Sequence, residues 1–356
     1  MIYYIFPYVY TFLMSLILFS VRIRRLRWWH LFILLLPAIL LFALRGNVGT
    51  DTYFYLGLQD DYSRYGESLA RYEPGFELLG KTLAKIGLNP RFAIATVGLI
   101  TTFLLCKAYS ATKRQMLLLT LVVFPLYFYD FTMNGIRYGL SFSLATVCID
   151  NLYKKKHRAA TIWGLLAFSM QYSSLLIILP FVGALIKKKY IIAITGILIL
   201  AFFGLPQYFG FIVDRLAGKQ DAYSDIVAPS IFSGIAPLFI VFLMYVNFLR
   251  FHINKPYDKL IHAIFLFEIL SFVLSKFTYA GLRFQGAFMY CMILYLKNHS
   301  DEIDSEKIKK YIAGYVVISM LGIFLFIKNI SANVEGDLSP FIPYKFYWQE
   351  SNRHTL

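Results

Sequence analysis

Residues 30–53 read HLFILLLPAILLFALRGNVGTDTY, an apolar run that ends at Arg45 and is followed by a polar turn containing Asp51. A long apolar run without charges is typical of a helix buried in a membrane. The whole chain of 356 residues has this character, with 58% hydrophobic residues, 15% charged residues and a mean hydropathy of +0.60. Soluble domains carry about 25% charged residues. The composition therefore predicts an all-α, polytopic membrane protein.

The formal net charge of +15 would suggest a nucleic-acid partner in a soluble protein. Here the lysines and arginines form short clusters between apolar runs, which is typical of cytoplasmic loops that face anionic lipid. We therefore expect no nucleic-acid partner. Cys106, Cys148 and Cys291 lie inside apolar runs without metal-ligand spacing, so we expect packing residues, no disulfide and no metal site.

The apolar runs predict about twelve membrane segments, if runs shorter than about 20 residues are accepted where a helix is broken or covered by protein. Most of the 35 basic residues, Lys297 among them, lie in alternate loops, which the positive-inside rule places in the cytoplasm. Both termini then face outside. The segments are residues 2–21, 30–44, 91–109, 115–129, 135–152, 159–170, 173–186, 190–206, 231–249, 260–276, 283–297 and 311–328.

The outer side is predicted to carry the loops 45–90 and 207–230 and the tail 329–356. No internal repeat is evident, so we expect one membrane domain over residues 1–356. The segments on either side of Gln171 are short, since about twelve helical residues cover only ~18 Å. They predict either a hairpin whose polar tip stops inside the bilayer and lines a cavity, or a tilted hairpin that reaches the surface.

Charged residues at the predicted outer face are candidates for a site. The glycines between Arg45 and Asp51 allow a close backbone approach to a ligand, but a helix end followed by an N-cap has the same pattern. Glu73 precedes an amphipathic stretch that is also typical of an interfacial helix. Arg137 and Arg283 begin predicted segments beside glycines and oppose the positive-inside bias, which favours a functional role over anchoring.

Lys345 adds an outer cation from the tail. Arginines that converge on one face suit an anionic lipid headgroup, because the guanidinium pairs with phosphate oxygens in a bidentate manner. Nearby tyrosines could stack on sugar rings or form an ordinary aromatic belt. These tyrosines are Tyr53, Tyr55, Tyr62, Tyr65 and Tyr72.

Glu268 lies deep in a predicted membrane segment. Either a structural pair or a functional role would explain a carboxylate at this position.

Five short motifs together resemble the EpsG-like family of Wzy-type O-antigen and exopolysaccharide polymerases. One departure is Gln171, which stands where the family often has histidine; an amide cannot act as a base near neutral pH. The motifs are Arg45 with Gly49-Thr-Asp-Thr-Tyr53, Glu73-Pro-Gly-Phe76 with Leu78-Leu79, Arg137 with Gly139, Arg283-Phe284, and Pro343-Tyr344-Lys345.

The resemblance implies a glycosyltransferase C-like fold with outer loops and interfacial helices in the cytoplasmic (inner) membrane. It implies an enzyme that joins undecaprenyl-diphosphate-linked oligosaccharide repeats on the outer face, without a cofactor, nucleotide sugar or metal. The product would be O-antigen, capsule or exopolysaccharide. A chain-length regulator and a flippase are the expected partners in the same membrane.

On this resemblance we expect Arg137 and Arg283 to hold the diphosphate, with Arg45 and Lys345 in support. Asp51 is the first candidate for the general base, unless it only forms an ion pair with Arg45. The second candidate is Glu73, and the remaining candidate substrate ligands are Tyr53 and Gln171. A glycan ligase of the same class, or a transporter or flippase for lipid-linked polysaccharide, are the alternative functions; related halves, which transporters commonly show, are not evident.

Overall fold

The computed structural model describes residues 1–21, 25–68, 72–185, 232–251, 258–303, 306–331 and 339–349. Within these ranges the chain is helical, and its only extended pairing is an isolated antiparallel bridge between Arg45 and Phe346. The prediction of an all-α protein is confirmed. The predicted segment 190–206 and the loop 207–230 lie outside the described residues.

The described helices coincide with the remaining predicted segments and add two short helices in the loop 45–90. They are α1 (Ile2–Ser20), α2 (Trp28–Leu34), α3 (Leu36–Ala43), α4 (Thr52–Tyr65), α5 (Pro74–Lys85), α6 (Pro90–Ala108), α7 (Lys113–Leu118), α8 (Ile136–Tyr153), α9 (His157–Met170), α10 (Ser174–Leu185), α11 (Ile235–Phe251), α12 (Lys259–Leu274), α13 (Tyr279–Asn298) and α14 (Ile308–Ser331). Two π-helical stretches, Leu119–Phe128 and Asp130–Asn134, connect α7 to α8.

Three described helices, α1, α6 and α14, are long and apolar enough to cross a membrane. The predicted count of about twelve spans is not confirmed, because several predicted segments are broken or short. The segment 30–44 is interrupted at Leu35, just before Pro37, and becomes α2 and α3. The π-helical stretch contains Pro125, which lacks the N–H that a regular helical bond needs.

The described residues group into two compact units. The first comprises residues 1–175, 247–253 and 293–356, and the second comprises 176–246 and 254–292. In the first unit, α8 packs against α6 and α9, and α14 packs against the π-helical stretch. The single domain over 1–356 stays a prediction. The three cysteines are free and buried, as expected for packing residues.

One end of the first unit gathers the N-terminus, the turn after α3 and the tail. The Tyr4 hydroxyl donates to the carbonyl of Phe341 at 3.1 Å. The backbone N–H of Gly46 donates to the carbonyl of Lys345 at 2.8 Å, and that of Gly49 donates to Pro340 at 3.0 Å. Three segments that are predicted to share the outer face therefore lie side by side.

Basic loops gather at the other end of α1, which is 19 residues or about 28 Å long. Lys113 donates to the carbonyl of Phe19 at 3.0 Å. Arg114 donates to the carbonyls of Ser300 and Ile303 at 2.8 and 3.0 Å. The basic loops around Lys113 and Arg114 therefore lie at the opposite end of α1 from the turn after α3 and the tail.

Lys297 differs from the other basic residues of its group, because it is only 2% exposed. Its ammonium binds the Asp150 carboxylate of α8 and lies 5.2 Å from the centre of the Tyr109 ring. Counting it among the residues that face anionic lipid was wrong. A charge that is removed from water needs a partner of opposite charge, and Asp150 provides it.

Replacing only one member of this pair should destabilise the protein strongly. Lys297→Met leaves the Asp150 carboxylate buried without a counter-charge, which costs roughly 3–5 kcal/mol. Thermal unfolding of the purified protein in detergent measures the effect. Lys309→Met is the matched control, because Lys309 is exposed near the start of α14. The combined change Lys297→Met and Asp150→Leu should recover stability, and a further loss would contradict the role of this pair.

Candidate functional site

An ion pair between Glu73 and Arg137 forms the centre of the candidate site. Glu73 is the N-cap residue of α5, with Pro74 at the first helical position, and is 3% exposed. Arg137 is the second residue of α8, and its Nη1 donates to Oε2 of Glu73 at 2.7 Å. A charge-assisted bond of this length holds the guanidinium in one place. Two segments far apart in sequence are thereby joined.

Aromatic rings surround the Arg137 guanidinium. Its Cζ lies 4.9 Å from the centre of the Tyr72 ring, in cation–π contact. Phe54 packs edge-on against Tyr72, with ring centres 5.8 Å apart. Burial raises the pKa of Tyr55, and the neighbouring positive charge of Arg137 partly opposes that increase. The tyrosines therefore cover the cation while leaving it close to the exposed end of α4.

Asp51 lies at this end of the site, as the N-cap residue of α4. Its carboxylate is close enough to Tyr55 and Tyr72 that its negative charge raises the pKa of both phenols, although burial is the larger cause. The Asp51 side chain is exposed. The structure thus brings Asp51, Glu73 and Arg137 around the same pair of tyrosines, and only Asp51 offers its carboxylate openly to solvent.

Three glycines allow the motifs to approach one another. A Cβ atom added to Gly139 would lie 2.3 Å from the carbonyl oxygen of Phe131, and one added to Gly75 would lie 2.3 Å from Oγ of Ser169. Gly49 has a φ angle of +107° and would meet the side chain of Asn134 at 2.7 Å. Any side chain at these positions would force the segments apart. Glycine is therefore required for close packing at each of these three motifs.

The break between α9 and α10 contacts α8 close to Arg137. Ser141, one helical turn beyond Arg137, donates to the carbonyls of Ala167 and Gln171 at 2.7 and 3.2 Å. The helix–break–helix pattern predicted around Gln171 is confirmed, because α9 ends at Met170 and α10 begins at Ser174. The depth of this tip in a bilayer stays a prediction.

Arg45 is buried at the end of α3, with 5% exposure. Its Nη1 donates to the carbonyl of Thr132 at 2.6 Å, and its charge does not pair with Asp51. The alternative in which Asp51 only fixes Arg45 is therefore wrong. Burial lowers the pKa of Arg45 to about 10, while the nearby Tyr344 and Tyr4 partly oppose that decrease, so the guanidinium stays charged at neutral pH.

Several buried polar atoms at these motifs have no hydrogen-bond partner. Buried polar groups are normally hydrogen-bonded, so each of these atoms is a place where a polar ligand or water can bind. Asn134 and Ser173 were not predicted from the sequence; the Asn134-Gly135 pair, one residue away from Arg137, was the available signal. The atoms are Nε and Nη2 of Arg45, Oδ1 of Asn134, Nε of Arg137, Oε1 of Gln171, and the hydroxyls of Ser173 and Ser174.

A comparison with protein families matches residues 28–346 to the sequence model of the EpsG family. The chain belongs to the EpsG family. The match contains all five motifs and shows a membrane-embedded protein of the exopolysaccharide or O-antigen polymerase type. No curated protein and no solved structure matches the chain. Four of the five motifs lie in the first unit.

The remaining predicted residues of this EpsG-family protein differ in their surroundings. Lys345 is exposed in the tail, where its neighbour Phe346 forms the bridge to Arg45. Arg283 is exposed on α13 in the second unit. Tyr53 is 64% exposed on α4. Among the described residues, no group of three His, Cys, Asp or Glu side chains could hold a metal ion.

Sugar stacking is not available to all five tyrosines that were predicted to lie near the outer charges. Tyr55 and Tyr62 are buried, so their ring faces cannot contact a sugar directly. Tyr53 and Tyr65 are exposed on α4, and Tyr72 is half-buried over Arg137. The prediction of stacking is therefore restricted to these three residues.

Substituting Gly139 should separate α8 from the π-helical stretch that precedes it. Gly139→Ala places a methyl group against the Phe131 backbone, which cannot move as a flexible side chain can, and overpacking of this kind costs about 1–3 kcal/mol. Gly57→Ala in α4 is the matched control, since nothing lies within 4 Å of its added Cβ. This control should be neutral or gain up to about 1 kcal/mol. Equal melting temperatures for the two variants would refute the close contact at Gly139.

Proposed function

We propose that this protein is a polysaccharide polymerase that joins undecaprenyl-diphosphate-linked oligosaccharide repeats on the outer face of the cytoplasmic membrane. The growing chain moves from its lipid diphosphate to the non-reducing end of a new lipid-linked unit. An acceptor hydroxyl oxygen bonds to the anomeric carbon of the donor. The bond from that carbon to the phosphate oxygen breaks, undecaprenyl diphosphate leaves, and a base takes the hydroxyl proton.

The observation that carries the proposal is the Glu73–Arg137 pair, together with membership in the EpsG family. Negative charge develops on the departing diphosphate, and a fixed cation that is already in place stabilises it without reorganisation. Arg137 has this property because Glu73 and Tyr72 hold its guanidinium. Its buried Nε has no hydrogen-bond partner and can donate a hydrogen bond to a phosphate oxygen.

Further cations support the same role. Arg45 keeps Nε and Nη2 unpaired in a buried position, so it can add positive potential or donate directly when substrate binds. Lys345 lies beside it in the tail. Arg283 lies in the second unit, and we keep it as a proposed diphosphate ligand on the basis of its family motif alone. Gln171 and Tyr53 would contact the saccharide, by hydrogen bonding and by ring stacking respectively.

Asp51 is the proposed general base. A base must reach the acceptor hydroxyl, and the exposed Asp51 carboxylate can do so beside Tyr72. Glu73 suits a different task, since its Oε2 accepts from Arg137 and the side chain is almost completely buried. We assign Glu73 as a positioning residue for Arg137 and retain Asp51 as the residue that accepts the proton.

The outer-face location is supported by the arrangement of the loops. The turn at Arg45 and the tail at Lys345 lie at the end of the first unit that is remote from the basic loops. Basic loops remain in the cytoplasm by the positive-inside rule. An outer site requires a flippase to deliver lipid-linked repeats, and a chain-length regulator is the second proposed partner in this membrane.

Arg137→Ala and Asp51→Asn should each shorten the polysaccharide. Loss of one preorganised charge contact in a transition state costs about 10²–10³-fold in rate. The measurement is elongation of a defined undecaprenyl-diphosphate-linked repeat by purified protein in detergent, with polymer ladders from cells as support. Arg64→Ala and Asp60→Asn are matched controls on α4, because these two residues form an exposed i,i+4 ion pair with each other.

Long polymer ladders from both site variants would overturn the proposed site. Wild-type protein that transfers a finished glycan to another acceptor, but never lengthens lipid-linked repeats, would identify a ligase instead. Protein that moves lipid-linked repeats between leaflets without lengthening them would identify a transporter. Each alternative therefore has its own measurable product.

Glu73→Gln should lower the rate by about 10–100-fold, because a hydrogen bond to a charged group contributes roughly 1.5–3 kcal/mol. A positioning role predicts that the acid limb of the kcat/KM pH profile is retained in Glu73→Gln and lost in Asp51→Asn. Glu77→Gln is the matched control on α5, where Glu77 pairs with Lys81 near the surface. Loss of the acid limb in Glu73→Gln would show that Glu73 is the base.

A further inference from the structure

A buried carboxyl–amide pair lies in the second unit, separate from the residues of the proposed reaction. Glu268 on α12 and Gln285 on α13 are both completely buried. The Gln285 Nε2 donates to Oε1 of Glu268 at 3.0 Å. This amide is the partner of Glu268 that the sequence did not reveal.

The orientation of the Gln285 amide is determined by its second hydrogen bond. Nε2 also donates to the carbonyl oxygen of Gly234 at 2.9 Å. The Gly234 carbonyl oxygen has no proton to give, so the atom of the amide that faces it must be the nitrogen. Gly234 has a φ angle of +81°, and a Cβ there would lie 2.1 Å from Oε1 of Gln285. The turn before α11 is therefore packed directly on this amide.

Two acceptor atoms remain without a donor in this cluster. They are Oε2 of Glu268 and Oε1 of Gln285, and both are buried. If the Glu268 carboxyl were deprotonated, Oε2 of Glu268 and Oε1 of Gln285 would both lack a donor. A negative charge would also be buried without a counter-charge from the described residues, which is costly. One proton on the carboxyl converts an acceptor into the donor that the cluster lacks.

Among the residues that the structure describes, none supplies a compensating positive charge to Glu268. His262, on the same helix, bonds to the hydroxyl of Tyr245 at 2.7 Å. Lys276, at the end of that helix, donates to the carbonyl of Ser233, and Arg283 on α13 is exposed. Cys291 on α13 donates weakly to the carbonyls of α10. None of these forms an ion pair with Glu268 among the described residues.

We infer that Glu268 is a proton-binding site: it holds a proton on Oε2 and forms a closed acid–amide pair with Gln285. In this pair the amide N–H donates to Oε1 of the acid, and the acid O–H donates to Oε1 of the amide. The second hydrogen of the amide nitrogen donates to the carbonyl oxygen of Gly234. The neutral pair thereby connects α12, α13 and the turn that begins α11, without placing a charge in the apolar interior.

Infrared spectroscopy tests the proton directly. A protonated carboxyl has a carbonyl stretch that a carboxylate lacks, and exposed acids are ionised at neutral pH. Wild-type protein in detergent at neutral pH should show this band, with a shift in D₂O, and Glu268→Gln should lose it. Glu77→Gln, which changes a solvated acid, should retain it. Absence of the band in folded wild-type protein would overturn the inference.

Thermal unfolding gives a second, independent readout. Glutamine matches a protonated glutamate in shape and can both donate and accept, so Glu268→Gln should melt close to wild type. Gln285→Leu removes the donor to two carbonyl acceptors and should lower the melting temperature by about 4 °C or more. A Glu268→Gln variant as unstable as Gln285→Leu would show that the charge is needed, which contradicts a bound proton.

A bound monovalent cation is the competing occupant of the two unsatisfied oxygens. It predicts that sodium or potassium chloride raises the melting temperature of wild-type protein relative to choline chloride, and that Glu268→Gln abolishes the effect. The proton predicts the same melting temperature in all three salts. A specific stabilisation by sodium or potassium would therefore replace the proton with a cation.

Discussion

The ion pair between Arg137 and Glu73 is the interaction on which the candidate site depends. It joins the beginning of α8, in the packed interior of the first unit, to the beginning of α5 in the loop that follows α3. The Glu73 side chain is almost completely buried, so its negative charge needs the cation of the partly exposed Arg137. Their pairing sets the position of α5, and through Tyr72 it also sets the aromatic cover over the guanidinium.

Close backbone approach is the second constraint, and the ion pair depends on it. The ion pair can form only if α5 lies against α9 and if α8 lies against the stretch before it. Gly75 and Gly139 allow both contacts, since a Cβ at either position would meet Ser169 or the Phe131 backbone. Buried polar atoms left unpaired beside these contacts then provide places for a polar ligand.

The second unit uses buried polarity differently. Glu268 and Gln285 interact with each other and with the turn at Gly234, and Glu268 has no positive partner among the described residues. In the first unit two buried carboxylates are compensated by cations instead: Asp150 pairs with Lys297, and Glu73 pairs with Arg137. A neutral acid–amide pair and a charged pair are two physical solutions to the same problem, which is how to remove a carboxyl group from water.

The sequence by itself determined the helical class, the positions of most helices, the family and the break at Gln171, because these depend on local composition and on motifs that are continuous along the chain. Only the tertiary structure decided which charges meet. Arg45 lies six residues from Asp51, yet it bonds to Thr132, while Glu73 pairs with Arg137 and Lys297 with Asp150. Partners separated by this many residues are chosen by helix packing and by the cost of burying a charge alone, and neither can be calculated from spacing along the chain.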